Sequence, residues 1–340
     1  MAFIVTADIH QTDLPRDSHR WRLFEFLIEQ ADKYKADIAI CGDLTDAKDR
    51  HSARLTNDMA LAFEAMAADH VVHIIPGNHD GIDLANPFFE FARMIEGVHF
   101  YMEPELVPLS IGKCLFLPHS KQPEKDWASL DFSKPDWIFC HQTFQGAVGE
   151  NGFILPGLDP GIFGKTKAKV ISGDIHAPQI VSKKPHIEYV GAPYRTRFGD
   201  AYEPRCLLIR DDGSMKDLHF ETVNKLLVEM GADRKLNLKE AKPGDQVKVR
   251  VRLPRSAYPE WPAIRNEIVE SCFALELDLT GPELIAIPDK PKKGSPEAKS
   301  GSPSAISPEE AMDAYAEKKG ASAHLRRRGK VWLKEATGGK

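Results

Sequence analysis

Five apolar runs in this chain end in side chains that bind cations. "FIVTA" (3–7) is followed by Asp8 and His10, and "DIAIC" (37–41) by Asp43 within "GDLTD". "VVHIIP" (71–76) leads into Asn78, His79 and Asp80 within "GNHDG", "DWIFC" (136–140) into His141, and "KVIS" (169–172) into Asp174 and His176 within "GDIH". Residues i and i+2 of an extended segment point to the same side, so Asp8 can share a ligand with His10, and Asp174 with His176. Carboxylate, imidazole and amide donors without thiolates suit manganese, iron or zinc, and one carboxylate can bridge two ions. The glycines before Asp43, Asn78 and Asp174 are expected to let the backbone turn sharply. A lone "DxH" or "GD" is ordinarily a turn or a helix cap. Five such endings in one chain imply a two-metal site.

Such a site needs strand ends brought to one rim, where open α/β sheets bind ligands. Between the first three runs lie two helical stripes, Trp21, Phe24, Leu27, Ile28, Ala31 and Tyr34, then Leu55, Met59, Ala62, Phe63 and Met66. Strands alternating with such helices predict βαβ units and a covered, largely parallel sheet. "KCLFLP" (113–118) and "HIEYVGAPY" (186–194) read as further strands, and residues 204–220 as a hairpin turning at Asp-Asp-Gly. His73 sits inside an apolar run and reads as a core histidine. From Leu226 a small β-α-β module follows: strand 245–254, helix 259–274, strand 275–287. Residues 288–305, rich in Pro, Gly, Ser and Lys, read as a flexible linker. A helix start follows at 306–340, with Ser307 as N-cap, Pro308 at the first helical position and Glu310 three residues after the cap. That helix docks either on its own protein or on a partner.

Composition sets outer limits. At 340 residues and 42% hydrophobic content the chain has room for two or three domains. The N-terminus has neither a basic region nor an apolar run long enough for a signal peptide, so a cytoplasmic protein without a membrane segment is expected. Five scattered cysteines without CxxC spacing read as buried small hydrophobes in a reducing compartment. The net charge of −5 disfavours a polyanionic partner, yet the tail is basic, with "LRRRGK" at 325–330. That cluster reads as a solvated charge run or as a contact for nucleic acid or an acidic protein.

The ordered set DxH, GD, GNHD, H, GxxH resembles the calcineurin-like metallophosphoesterase superfamily over residues 1–225. The resemblance implies a four-layer α-β-β-α sandwich, with 226–287 as a capping domain and 306–340 as a tethered helical tail. "VGAPYRTRFGDAYEPRCLLI" (190–209), "LPHS" (117–120) and the capping module are similar to one branch, the SbcD-type DNA repair nucleases, which include bacteriophage members. Carried over, one metal would be held by Asp8, His10, Asp43 and His176, and the other by Asp43, Asn78, His141 and Asp174. The family usually has histidine at 174; a carboxylate there favours manganese, or magnesium, over zinc. His79 would assist the departing oxygen and Asp80 would orient His79, while Arg195 and Arg197 would contact phosphate.

The resemblance thus implies a manganese-dependent exonuclease and endonuclease, a homodimer working on DNA with an SbcC-like coiled-coil ATPase docked on the tail helix. A virus-encoded member would act in the host cytoplasm. A phosphodiesterase or phosphatase for small substrates uses the same chemistry and suits the acidic body better. A non-catalytic scaffold is disfavoured, because Asp43, Asn78 and His79 are all intact.

Overall fold

The computed structural model describes residues 2–149, 152–231 and 234–288. Strands and helices alternate as the apolar runs predict. The first half holds β1 (Ala2–Thr6), α1 (Arg22–Tyr34), β2 (Ala36–Cys41), α2 (Ala53–Ala67), β3 (Val72–Ile75), β4 (Val98–Phe100), β5 (Glu105–Leu109), β6 (Gly112–Leu117), the single-turn α3 (Pro123–Asp126) and β7 (Trp137–His141). The second half continues with β8 (Lys169–Gly173), β9 (Gln179–Lys183), β10 (His186–Tyr189), β11 (Cys206–Arg210) and β12 (Met215–Leu218).

Two six-stranded sheets result, in the orders β12-β11-β1-β2-β3-β4 and β5-β6-β7-β8-β10-β9. Strands β1 to β4 are mutually parallel, as are β6, β7, β8 and β10. The antiparallel partner of β1 is β11, which the predicted hairpin joins to β12. Strands such as β1 and β7 are buried on both faces, which explains their unbroken apolar runs. Phe3, Val5, Phe116, Phe139, Ile171 and Leu207 interlock between the sheets. On the outer side of the first sheet, Leu27 of α1 and Met59 and Phe63 of α2 close a second core. Ser52 caps α2 by accepting the Leu55 N–H at 3.0 Å.

The fourth layer is thin. Over the second sheet, Trp127, Phe144 and Phe163 come from α3, loops and a 3₁₀ turn at Pro160–Phe163 instead of long helices. All five cysteines are buried and unpaired. Among the described residues no helix is long and apolar enough to cross a membrane.

The module that begins at residue 225 has two strands more than its sequence pattern suggests. Parallel strands β13 (Lys225–Met230), β14 (Gln246–Pro254), β15 (Asp278–Leu279) and β16 (Glu283–Ile287) carry one helix, α4 (Trp261–Ala274). The single strand expected over 275–287 is two, split where Gly281 and Pro282 interrupt the ladder. Its core of Val247, Val249, Val251, Ile264 and Ile268 is its own. Body and module nonetheless belong to one compact unit that ends at Ile287. The linker expected at 288–305 and the tail helix at 306–340 lie outside the described residues beyond Pro288.

Candidate metal centre

The carboxyl ends of β1, β2, β3, β7 and β8 meet at one rim, and the backbone there is unusual. Asp8, His10, Asp43 and Asp174 all have positive φ, at 53°, 45°, 55° and 94°. Non-glycine residues rarely adopt this region, and such strain persists only where the surroundings enforce it. The enforcement is visible: the Asp8 and His10 N–H groups donate to Gly42 O and Asp43 O at 3.1 and 2.9 Å, zipping the first two loops together. Of the three glycines expected to permit sharp turns, only Gly42 has positive φ. Gly77 is required for room, since a Cβ there would lie 2.3 Å from Asp43 Oδ1.

The predicted ligands converge. His10 Nε2 lies 3.0 Å from His176 Nε2, and His141 Nε2 lies 3.0 Å from the Asn78 amide. Asp43 stands between the two groups, Oδ2 3.6 Å from His10 Nε2 and Oδ1 3.4 Å from His141 Nε2. His141 donates from Nδ1 to Cys41 O at 2.8 Å, and His176 Nδ1 pairs with Thr196 Oγ1 at 2.9 Å, so both rings aim Nε2 inward. Two donor sets, Asp8 with His10 and His176, and Asp8 with Asp43 and His141, each have their ligand atoms within 4.8 Å of one another.

The charge balance fits divalent cations. Burial pushes the Asp8 carboxyl up to about 7, with Asp43 adding to the rise and His141 opposing it. Burial also opposes ionisation of Asp43, but His141 and His10 outweigh it and hold that carboxyl well below the usual range. Burial would lower His141, yet Asp43 and Asp8 raise it well above an ordinary imidazole. His176 is pushed down to about 3 by burial and by His10. A metal ion would supply these buried carboxylates with fixed positive charge.

The Asp80 carboxylate faces backbone rather than the His79 ring. It is buried, accepts the N–H groups of Asp43, Leu44 and Gly77 at 2.8, 2.8 and 2.6 Å and so fastens the β2 loop to the β3 loop. His79 instead donates its N–H to Asp43 Oδ1 at 2.9 Å, and its ring Nδ1 lies 3.3 Å from Asp46 O. Arg195 and Arg197 part company: Arg197 lines the ligand cleft, a cavity of about 220 Å³, whereas Arg195 lines a separate one. Asp174 sits at the edge of the cluster. One oxygen accepts from the Thr143 hydroxyl, and the other lies 3.8 Å from His141 Nε2.

Two residues outside the expected ligand set touch it. Asp46 Oδ1 is 2.7 Å from His10 Nδ1, behind the ligand face of that ring. His119 donates from Nδ1 to His141 O at 2.9 Å. Asp46 stands three residues beyond Asp43 in "GDLTD", a signal in plain view; the position of His119 depends on the pairing of β6 with β7, which no local motif encodes.

A buried carboxylate and imidazole cluster at the strand ends of a double-sheet sandwich defines a metal-dependent hydrolase site, and comparison with known proteins agrees. Residues 1–178 match the sequence profile of the calcineurin-like phosphoesterases, and the chain belongs to that family. It is accordingly a phosphoester hydrolase that works with divalent metal ions. No curated protein sequence matches the chain. A solved structure described as a novel archaeal phosphodiesterase aligns with 65% of this chain and 100% of its own, at 14% identity and a TM-score of 0.36.

Proposed function

We propose that the protein is a DNA nuclease, cutting phosphodiesters with two manganese ions as the nuclease subunit of an SbcCD-like end-processing complex. The observation that carries this reading is the second module beside the centre. Lys225 Nζ bonds Asp17 Oδ1 at 3.1 Å and Thr196 O at 3.2 Å, so the module is tied to the segment that supplies Arg197 to the cleft. A strand that extends past the cut bond can lie along such a module, which a small ester does not reach.

In this reading Asp8, His10, Asp43 and His176 hold one ion, and Asp43, Asn78, His141 and Asp174 the other. When bound, the ions polarise a phosphate oxygen and make water a better nucleophile. Asp43 faces both sets and fixes their spacing. His79, held by its own N–H on Asp43, presents its ring at the mouth to donate a proton to the departing sugar oxygen. Arg197 supplies positive charge for a non-bridging phosphate oxygen. The all N and O donor set, with a carboxylate at 174, favours manganese. We assign the tail from residue 306 as the docking segment for a coiled-coil ATPase.

The test is end-labelled linear duplex DNA incubated with manganese, magnesium or no metal, beside His79→Ala. Manganese-dependent loss of label, absent in the variant, is the expected result. Hydrolysis of a chromogenic phosphodiester with no loss of label would replace this reading with the second one, a phosphodiesterase for small substrates. The modest cleft of about 220 Å³ is the feature that favours that alternative.

A further inference from the structure

Residues 194 to 197 run between two hollows. Thr196 and Arg197 face the ligand cleft, while Tyr194 and Arg195 line a larger cavity of about 510 Å³ where the body meets the second module. The Tyr194 hydroxyl donates to Ile9 O, the carbonyl next to ligand His10.

The wall of this cavity carries Arg22 and Arg195 from the body and Lys242 from the module. Among the described residues, none of the three has a carboxylate within salt-bridge distance. Arg195 Nε and Thr222 Oγ1 are buried there without a hydrogen-bond partner. Both atoms lie out of reach of the cavity's contents, so the groups that a ligand there meets are the exposed Arg22 and Lys242 and the half-buried Arg195. The carboxylates on the same wall do not neutralise these cations. Asp245 accepts from the Asn224 N–H at 2.9 Å, the Asn224 amide at 3.3 Å and the Lys242 N–H at 2.9 Å. Glu203 lies 3.9 Å from His219, and Glu221 is exposed.

We propose that this cavity binds a phosphate of a polynucleotide strand, one that is not being cut. The proposal rests on the nuclease reading and makes it more specific. Guanidinium and ammonium groups with no internal partner match an oxyanion. Arg195 and Arg197 come from one segment, so a strand whose cut phosphate lies at Arg197 extends toward the cavity that Arg195 lines. Affinity then depends on the ligand's carrying several phosphates in a row.

The experiment uses the full chain in a His79→Ala background with manganese, so that the centre is loaded and the strand stays intact. Binding of a fluorescent twelve-residue oligothymidylate is followed by anisotropy across a salt series, with and without Arg22→Gln and Lys242→Gln together. We expect the double substitution to weaken binding roughly tenfold and to flatten the salt slope by about 0.7 for each phosphate no longer neutralised. The charge-preserving pair Arg22→Lys and Lys242→Arg should bind like the background. Unchanged affinity in the glutamine pair, no binding by the background, or equal weakening in the charge-preserving pair would each overturn the proposal. Cleavage of the same oligonucleotide by the chain with His79 intact is read separately. A strand that binds through this cavity and is never cut would overturn the nuclease reading while keeping the phosphate site.

Discussion

The metal rim and the junction between the two modules are both built from polar contacts, but they are fixed by different means. At the rim the ties run through backbone: Asp8 and His10 N–H to the β2 loop, and three N–H groups onto Asp80. At the junction they run through side chains. Lys225 reaches Asp17, Gln246 Nε2 donates to Arg16 O at 2.5 Å, and Arg16 Nη1 donates to Thr280 Oγ1 at 3.2 Å. The module also keeps an apolar core separate from those of the body. A rim built this way holds its ligands in strained conformations whether or not a metal is present, whereas the junction depends on a few exchangeable groups. Damage at the rim should therefore abolish chemistry or folding outright, and damage at the junction should change only how the second module sits.

The largest effect is expected at Asp43, whose two oxygens face the two histidine sets. Asp43→Ala should lower phosphodiester turnover by about a thousandfold or more. It should also remove the rise in melting temperature that divalent metal gives the wild type by mass action. A variant that keeps both would show that the two sets act independently, and the view of the rim as one rigid unit would fail.

Next comes Asp80, whose carboxylate accepts from backbone N–H groups. If it fastens the loops, Asp80→Ala leaves three buried N–H groups without an acceptor and should cost on the order of 3 kcal/mol or more of stability. Urea denaturation of the metal-free chain measures this. A stable variant that is merely inactive would instead return Asp80 to the catalytic role that its adjacency to His79 suggests.

That case illustrates what a sequence encodes locally. Strand ends and the DxH pair are legible because a period of two and an unbroken apolar run are properties of the chain itself. The convergence of His10, Asp43, Asn78, His141 and His176 follows from strand order. The partner of a carboxylate is another matter. Asp80 is next to His79 in sequence, but the turn that lets Gly77 donate to it directs the carboxylate inward to backbone, away from its neighbour. Arg195 and Arg197 likewise read as a pair, yet neighbouring stretches of one segment face opposite hollows. The extra strand β13 escapes a local reading because its apolar residues pair with β14 only after the intervening loop folds back.

Asp174 tests whether the rim tolerates a change of donor. The resemblance supplies histidine at this position, and the Thr143 hydroxyl holds the carboxylate found here. Asp174→His should keep manganese-supported turnover within about tenfold and raise the zinc-supported rate relative to it, because imidazole suits zinc better than a second carboxylate does. Loss of activity with every metal would mean that the Thr143 hydrogen bond is indispensable to the rim, which sharpens the contrast with the junction.

The smallest effect is expected at the junction itself, and it has a direction in pH. Asp17 is buried beside Arg20 at 3.2 Å, Lys225 at 3.1 Å and the Thr12 hydroxyl at 3.0 Å. Burial alone would raise its pKa, but Arg20 and Lys225 outweigh that and hold the carboxyl below its ordinary value. The unfolded chain therefore binds the proton first as pH falls. The stability that Asp17 contributes is complete above its unfolded pKa of about 4 and is lost as pH drops through the lower, folded value. The protection of β13 and β14 amides against hydrogen exchange, relative to the intrinsic rate at each pH, should fall below about pH 4 in the wild type, while protection in β1 and β2 changes less. Asp17→Asn, which is neutral throughout, should show the lower protection already at neutral pH and lack the acid step. Equal acid sensitivity in β1 and β13 would mean that rim and junction open together, and the distinction between them would not survive.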